Sequence, residues 1–173
     1  MRIGRAFCCL CVPFFISAFV TAAEIPQPTP CSPGKDADKP AVVCRIGGGL
    51  TGAVTEWLIY PDGLVCVGSG TDPVRLGPTA LGVPVGHRWT YSEKGKMAPG
   101  KVSDLVDSVS KQGFFTMEDG HYNTAACDQC KKYRVTIRKG SQKRTVEGSD
   151  WKMPSRLKEV VSMIREVIAA ELP

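Results

Sequence analysis

The sequence predicts an α+β domain, in which an antiparallel sheet of about four to five strands, built from two hairpins, packs one face against two amphipathic helices. Three observations carry this. Within Cys127 to Glu147, Tyr133, Val135 and Ile137 alternate with Arg134, Thr136 and Arg138, the period of two that marks a half-buried strand. Gly140-Ser141 then reverses the chain, and Lys143 to Glu147 returns with Val146 inward. Upstream, Val54 to Tyr60 and Leu64 to Val67 flank the turn signal Pro61-Asp62-Gly63 and make the second hairpin. Finally, two stretches repeat their apolar residues at helical spacing.

In chain order, Arg2 and Arg5, the apolar run Ala6 to Val20 and the small residues Thr21-Ala22-Ala23 predict a cleavable signal peptide over residues 1–23. The uncharged run is shorter than the roughly 20 residues a membrane-spanning helix needs, so no span is expected after cleavage. Cys8, Cys9 and Cys11 open the apolar run instead of following it, which argues against lipidation. From Glu24 to Pro40 the chain is rich in proline and poor in large apolar residues, the composition of a disordered or extended linker. Residues 41–173 then suffice for a single domain with one core.

Ala41 to Ile46 is the first strand, interrupted by Gly47-Gly48-Gly49-Leu50-Thr51-Gly52 before the second hairpin begins. Gly68 to Gly100 shows no clear period beyond a short strand within Leu81 to Trp89, and a structureless stretch of that length signals a missed element. Val102, Leu105, Val106 and Val109 share one helical face, Gly113 ends that helix, and Phe114-Phe115 drop into the core. The last helix spans Pro154 to Leu172, with Leu157, Val160, Val161, Ile164, Val167 and Ile168 as its stripe.

Loss of Arg2 and Arg5 with the signal takes Lys+Arg from 22 to 20 against 17 Asp+Glu, so the net charge of +5 falls to +3. That excess is too small to imply a nucleic-acid partner. Five cysteines remain, Cys31, Cys44, Cys66, Cys127 and Cys130, in what an export signal makes an oxidising compartment. Cys127-Asp128-Gln129-Cys130 is followed by a strand, whereas a redox-active pair needs a helix N-terminus to lower its thiol pKa. A zinc site needs about four ligands, and His121 with His87, the only histidines, could complete the set, but their spacing suits no familiar finger. A structural disulfide clipping the strand entrance fits best. A second bridge from Cys31 to Cys44 would leave Cys66 as the odd thiol.

Other motifs lack the context their chemistry requires. Gly47 to Gly52 has dinucleotide-loop spacing, but a strand follows where a helix N-terminus must meet the pyrophosphate. Gly95 to Val102 is close to a phosphate-binding loop, yet Val102 stands where a hydroxyl must reach magnesium. Lys131, Lys132, Arg134, Arg138, Lys139, Lys143 and Arg144 make the organising hairpin basic, which suits a solvated face that resists edge pairing, or an acidic partner. Neither histidine lies in a recognisable catalytic motif, and no cofactor is called for.

Taken in order, Gly48, Gly49 and Gly52, a helix ending in Phe114-Phe115, the strand Tyr133 to Ile137, and Asp150 followed by Pro154 and Leu157 form a pattern over most of residues 45–168. In this the chain resembles small bacterial domains of the emfourin type, proteinaceous inhibitors of thermolysin-like metallopeptidases, and related uncharacterised secreted domains. It departs from emfourin in its signal peptide, its Pro-Asp-Gly hairpin and its C-x-x-C, and the last two are closer to the uncharacterised domains. The resemblance implies peptidase inhibition; no inhibitory residue carries over.

The functional expectation is therefore a secreted or periplasmic, non-catalytic binding module with another protein as partner, a peptidase being the partner the resemblance implies. Its candidate contact residues are Gly48, Gly49, Leu50, Thr51 and Gly52, on an exposed loop. The alternatives are a metal- or thiol-dependent enzyme using Cys127, Cys130 and His121, and a structural envelope protein. N-terminal sequencing of exported material is expected to begin at Glu24; material beginning at Met1 refutes the signal peptide.

Overall fold

The computed structural model describes residues 29–31, 39–49, 52–71, 90–118, 121–122 and 130–172. The expected signal peptide, most of the linker, Leu50, Thr51, the short strand within Leu81 to Trp89, and Cys127 lie outside the described residues. Strands β1 (Val42–Gly48), β2 (Ala53–Ile59), β3 (Leu64–Thr71) and β4 (Thr90–Lys96) precede helix α1 (Pro99–Lys111) and a 3-10 turn at Phe114–Thr116. Then come β5 (His121–Tyr122), β6 (Lys131–Lys139), β7 (Gln142–Ser149) and helix α2 (Ser155–Glu171). The sheet order is β4-β3-β2-β1-β6-β7-β5; all neighbours are antiparallel except β5, a two-residue strand parallel to β7.

Alternation along each strand assigns its two faces, and the registers align those faces into rows. One row on the helix side runs Val65, Ile59, Val42, Ile137 across β3, β2, β1 and β6; the next runs Val67, Trp57, Cys44, Val135, Val146. Onto these rows α1 turns Val102, Leu105, Val106 and Val109, and α2 turns Leu157, Val160, Val161, Ile164 and Ile168. Both stripes are those the sequence predicts. Phe114 is fully buried in the same core, with Phe115 edge-on to it at 6.0 Å. Burying a side chain of this kind contributes on the order of 1.5–3 kcal/mol relative to exposure. Among the described residues, no helix is long and apolar enough to cross a membrane.

Two expectations are corrected. The sheet has six antiparallel strands, not four to five, because β4 was not legible: Thr-Tyr-Ser-Glu-Lys-Gly-Lys has no apolar alternation. As a strand paired to β3 through a bulge between Val65 and Cys66, it needs none. Its outer edge is met by Thr29 to Cys31, with Cys31 N donating to Tyr91 O at 3.1 Å and Glu93 N donating to Thr29 O at 2.9 Å. Gly63 closes the turn before β3 at φ +92°, where a Cβ would stand 1.9 Å from Met97 O, so the hairpin turn abuts the entry to α1.

The second correction concerns the cysteines. Cys31 is bonded to Cys66, with a Cα–Cα distance of 5.8 Å, and Cys44 is the buried free thiol. Register explains why a Cys31–Cys44 bridge does not form. Cys44 stands opposite Trp57 and Cys66 opposite its neighbour Leu58, so the two cysteines point to opposite faces of the sheet. Cys66 joins Tyr60 and Leu64 in a small satellite core against Leu58 and Cys31, while burial pushes the Cys44 thiol up to about 12.

Non-reducing peptide mapping is expected to recover a Cys31–Cys66 peptide. The bridge closes a separation of 35 residues, so Cys31→Ala should lower unfolding free energy by about 3–4 kcal/mol in urea. Mapping that joins Cys31 to Cys44 refutes the strand register.

Candidate functional site

Three described segments of different origin meet at one end of the sheet: the end of β1, the start of β6, and the turn after β7. Gly48 pairs with Lys131 in the β1–β6 register, and Gly49 N donates to Cys130 O at 3.2 Å. Gly48 has φ +99°, and a Cβ there would stand 2.7 Å from Cys130 O, so the two chains approach as closely as backbone allows only because this residue is glycine. Gly52 N reaches back to Gly49 O at 3.4 Å, which closes the loop. Gly48 and Gly49 of the glycine loop and Cys130, far apart in sequence, are therefore neighbours.

On the far side of Cys130, Asp150 locks the turn that leads to α2. Its Oδ1 accepts from Tyr133 Oη at 2.7 Å, its Oδ2 accepts from Lys131 N at 3.2 Å, and its own N donates to Lys131 O at 3.1 Å. Lys152 N adds a bond to Ser149 O at 3.0 Å. With both flanking residues tied down, Trp151 is 70% exposed, the one large apolar side chain left in solvent among the described residues. Burial and the Asp150 carboxylate hold the Tyr133 hydroxyl up at about 12, against a smaller opposing pull from Arg165.

Of the residues singled out from sequence, Gly48, Gly49 and Gly52 lie at this end, whereas Leu50 and Thr51 are outside the described residues. Cys130 is disulfide-bonded, to a cysteine outside the described residues, and in that state offers no thiolate. His121 heads β5, beside Glu147 of β7. Among the described residues, no group of three or more His, Cys, Asp and Glu side chains is placed to hold a metal. On the basic hairpin, Arg134 pairs with Glu147 across the strands and Lys139 Nζ lies 2.9 Å from Asp107, while Arg144 donates to the Phe115 carbonyl at 3.0 Å.

Sequence reasoning missed Trp151 and the Asp150 clamp. Their signal was present, since a tryptophan between Asp150 and Lys152, just ahead of Pro154, sits in a polar turn and not on an apolar stripe. A scan against family models and a search of curated proteins each return no match to this chain.

The Tyr133–Asp150 bond predicts a pH dependence. The folded hydroxyl keeps its proton until about 12, whereas an unfolded tyrosine releases it near the ordinary 10.0. The folded state thus binds more protons in that window, so the contribution is complete below pH about 10 and is lost as pH rises through about 12. Tyr133→Phe should make the alkaline fall in urea midpoint shallower; an unchanged slope refutes the bond.

Proposed function

We propose that the chain is an exported, non-catalytic binding module whose partner is another protein, engaged by the sheet end that carries the glycine loop and Trp151. The observation that carries this reading is Trp151, held 70% exposed on a turn clamped through both oxygens of Asp150. An exposed tryptophan on a rigid turn loses little conformational entropy on binding, and tryptophan is among the side chains most enriched at energetic centres of interfaces. Gly48 and Gly49, half-buried, lie at the same end of the sheet, where Gly48 lets β1 close on Cys130. The resemblance to emfourin-type domains makes peptidase inhibition the specific form of the proposal. A disulfide at Cys130 counts against the thiol-enzyme alternative.

The mature chain is expected to slow a thermolysin-like metallopeptidase stoichiometrically. Trp151→Ala should weaken that inhibition at least tenfold, the loss of an interface anchor, and leave the melting temperature nearly unchanged, as exposed substitutions do. Inhibition across metallo-, serine and cysteine peptidases that is absent throughout removes the peptidase form. Capture from the envelope fraction that is indifferent to Trp151→Ala removes the assignment of this surface.

A further inference from the structure

A second site lies away from the sheet end, where the helix layer leaves the sheet uncovered. Helix α2 crosses the sheet obliquely: Leu157 packs beside Gly148 of β7, and Leu172, just past the other end, reaches Gly95 of β4. Trp57 of β2, Lys94 of β4 and residues of α2 line a groove of about 450 Å3. That volume falls within the range of small-ligand sites, roughly 300–1,000 Å3. Half-buried Trp57 and the apolar Ile168 and Leu172 line it, together with the exposed Lys94 and Arg165.

The charges in this groove are unbalanced. Lys94 and Arg165 are exposed, and neither has an ion-pair or hydrogen-bond partner among the described residues. By contrast, Arg134 is paired with Glu147, Lys96 with Asp62 and Lys139 with Asp107. Glu166, the one acid among the lining residues, accepts from Ser162 Oγ at 2.8 Å and keeps its charge, so the lining retains an excess of one positive charge. The charge of Arg165 is also felt by Cys44, the register partner of Trp57.

We propose that this groove binds a small organic carboxylate with an apolar body, the body lying on Trp57 and the carboxylate between Lys94 and Arg165. A guanidinium matches a carboxylate with two parallel N–H donors, and an aromatic floor favours an apolar body over water. A bare anion would leave Trp57 wet, and a neutral apolar molecule would leave both cations unpaired. The proposal is independent of the protein-binding surface around Trp151, at the end of the sheet.

The test titrates 4-phenylbutyrate into the mature protein and follows the indole N–H signals of its three tryptophans by NMR, with Trp57→Phe assigning the relevant one. The Trp57 signal should shift saturably while that of Trp151 stays in place. The uncharged 4-phenylbutanamide should bind at least about tenfold more weakly, and Arg165→Gln and Lys94→Gln should each weaken 4-phenylbutyrate about five- to tenfold, the scale of a lost charge-assisted hydrogen bond. Both substituted side chains are exposed, so circular dichroism should match the parent. An immobile Trp57 signal at millimolar ligand, equal binding of the amide, or undiminished binding by both variants overturns the proposal.

Discussion

The antiparallel pairing of β1 with β6 is the interaction on which the remainder of the molecule depends. Seven register pairs, from Val42 with Ile137 to Gly48 with Lys131, join residues that lie far apart in the chain. On one side of that seam stands the β2–β3 hairpin with β4; on the other stands β6–β7. An isolated hairpin is marginal in water because it has no second layer to bury its apolar face. Joined through β1, the two halves present one continuous face, and only a face that wide gives α1 and α2 a common core. Closing so long a loop costs entropy before any contact is made, so the pairing must be repaid by the rows of Val42, Cys44, Val135 and Ile137, each fully buried.

The same seam creates the end of the sheet proposed to bind a partner. Gly48 meets Cys130 only because β1 ends where β6 begins, and Asp150 meets Lys131 and Tyr133 only because β7 ends beside them. The scaffold thereby converts three loops of unrelated sequence into one surface on a stiff frame, the usual placement of recognition elements. Trp151 owes its exposure to the same geometry. Its neighbours are committed to the backbone, and the apolar stripe of α2 does not begin until Leu157.

The two faces of the sheet have separate chemistry. On the helix side, Cys44 is a packing residue, its thiol held protonated by burial. On the opposite side, Glu56, Arg45, Arg134 and Glu147 align across four strands, with Tyr91 Oη donating to Glu56. Further along that face, Thr136 and Thr145 share a hydroxyl contact at 2.9 Å, and the Cys31–Cys66 bridge closes a small apolar cluster. Several charges of this face find partners within the sheet, whereas the buried Arg138 Nε has none among the described residues.

What the sequence by itself determined was local. Alternation of Tyr133, Val135 and Ile137, the turns at Gly63 and Gly140, and the helical stripes of α1 and α2 are each written within a few residues, because side-chain period is a property of the backbone geometry. β4 escaped for the complementary reason: its polar residues carry no such period, and its place is set by hydrogen bonds from β3 and from Thr29 to Cys31. Only the tertiary structure decided that β1 pairs with β6, that Cys31 bonds Cys66 while Cys44 is sealed on the other face, and that the glycine loop, Asp150 and Trp151 share one end. Those outcomes depend on register between distant strands, where a shift of one residue exchanges the two faces, and no local pattern encodes it.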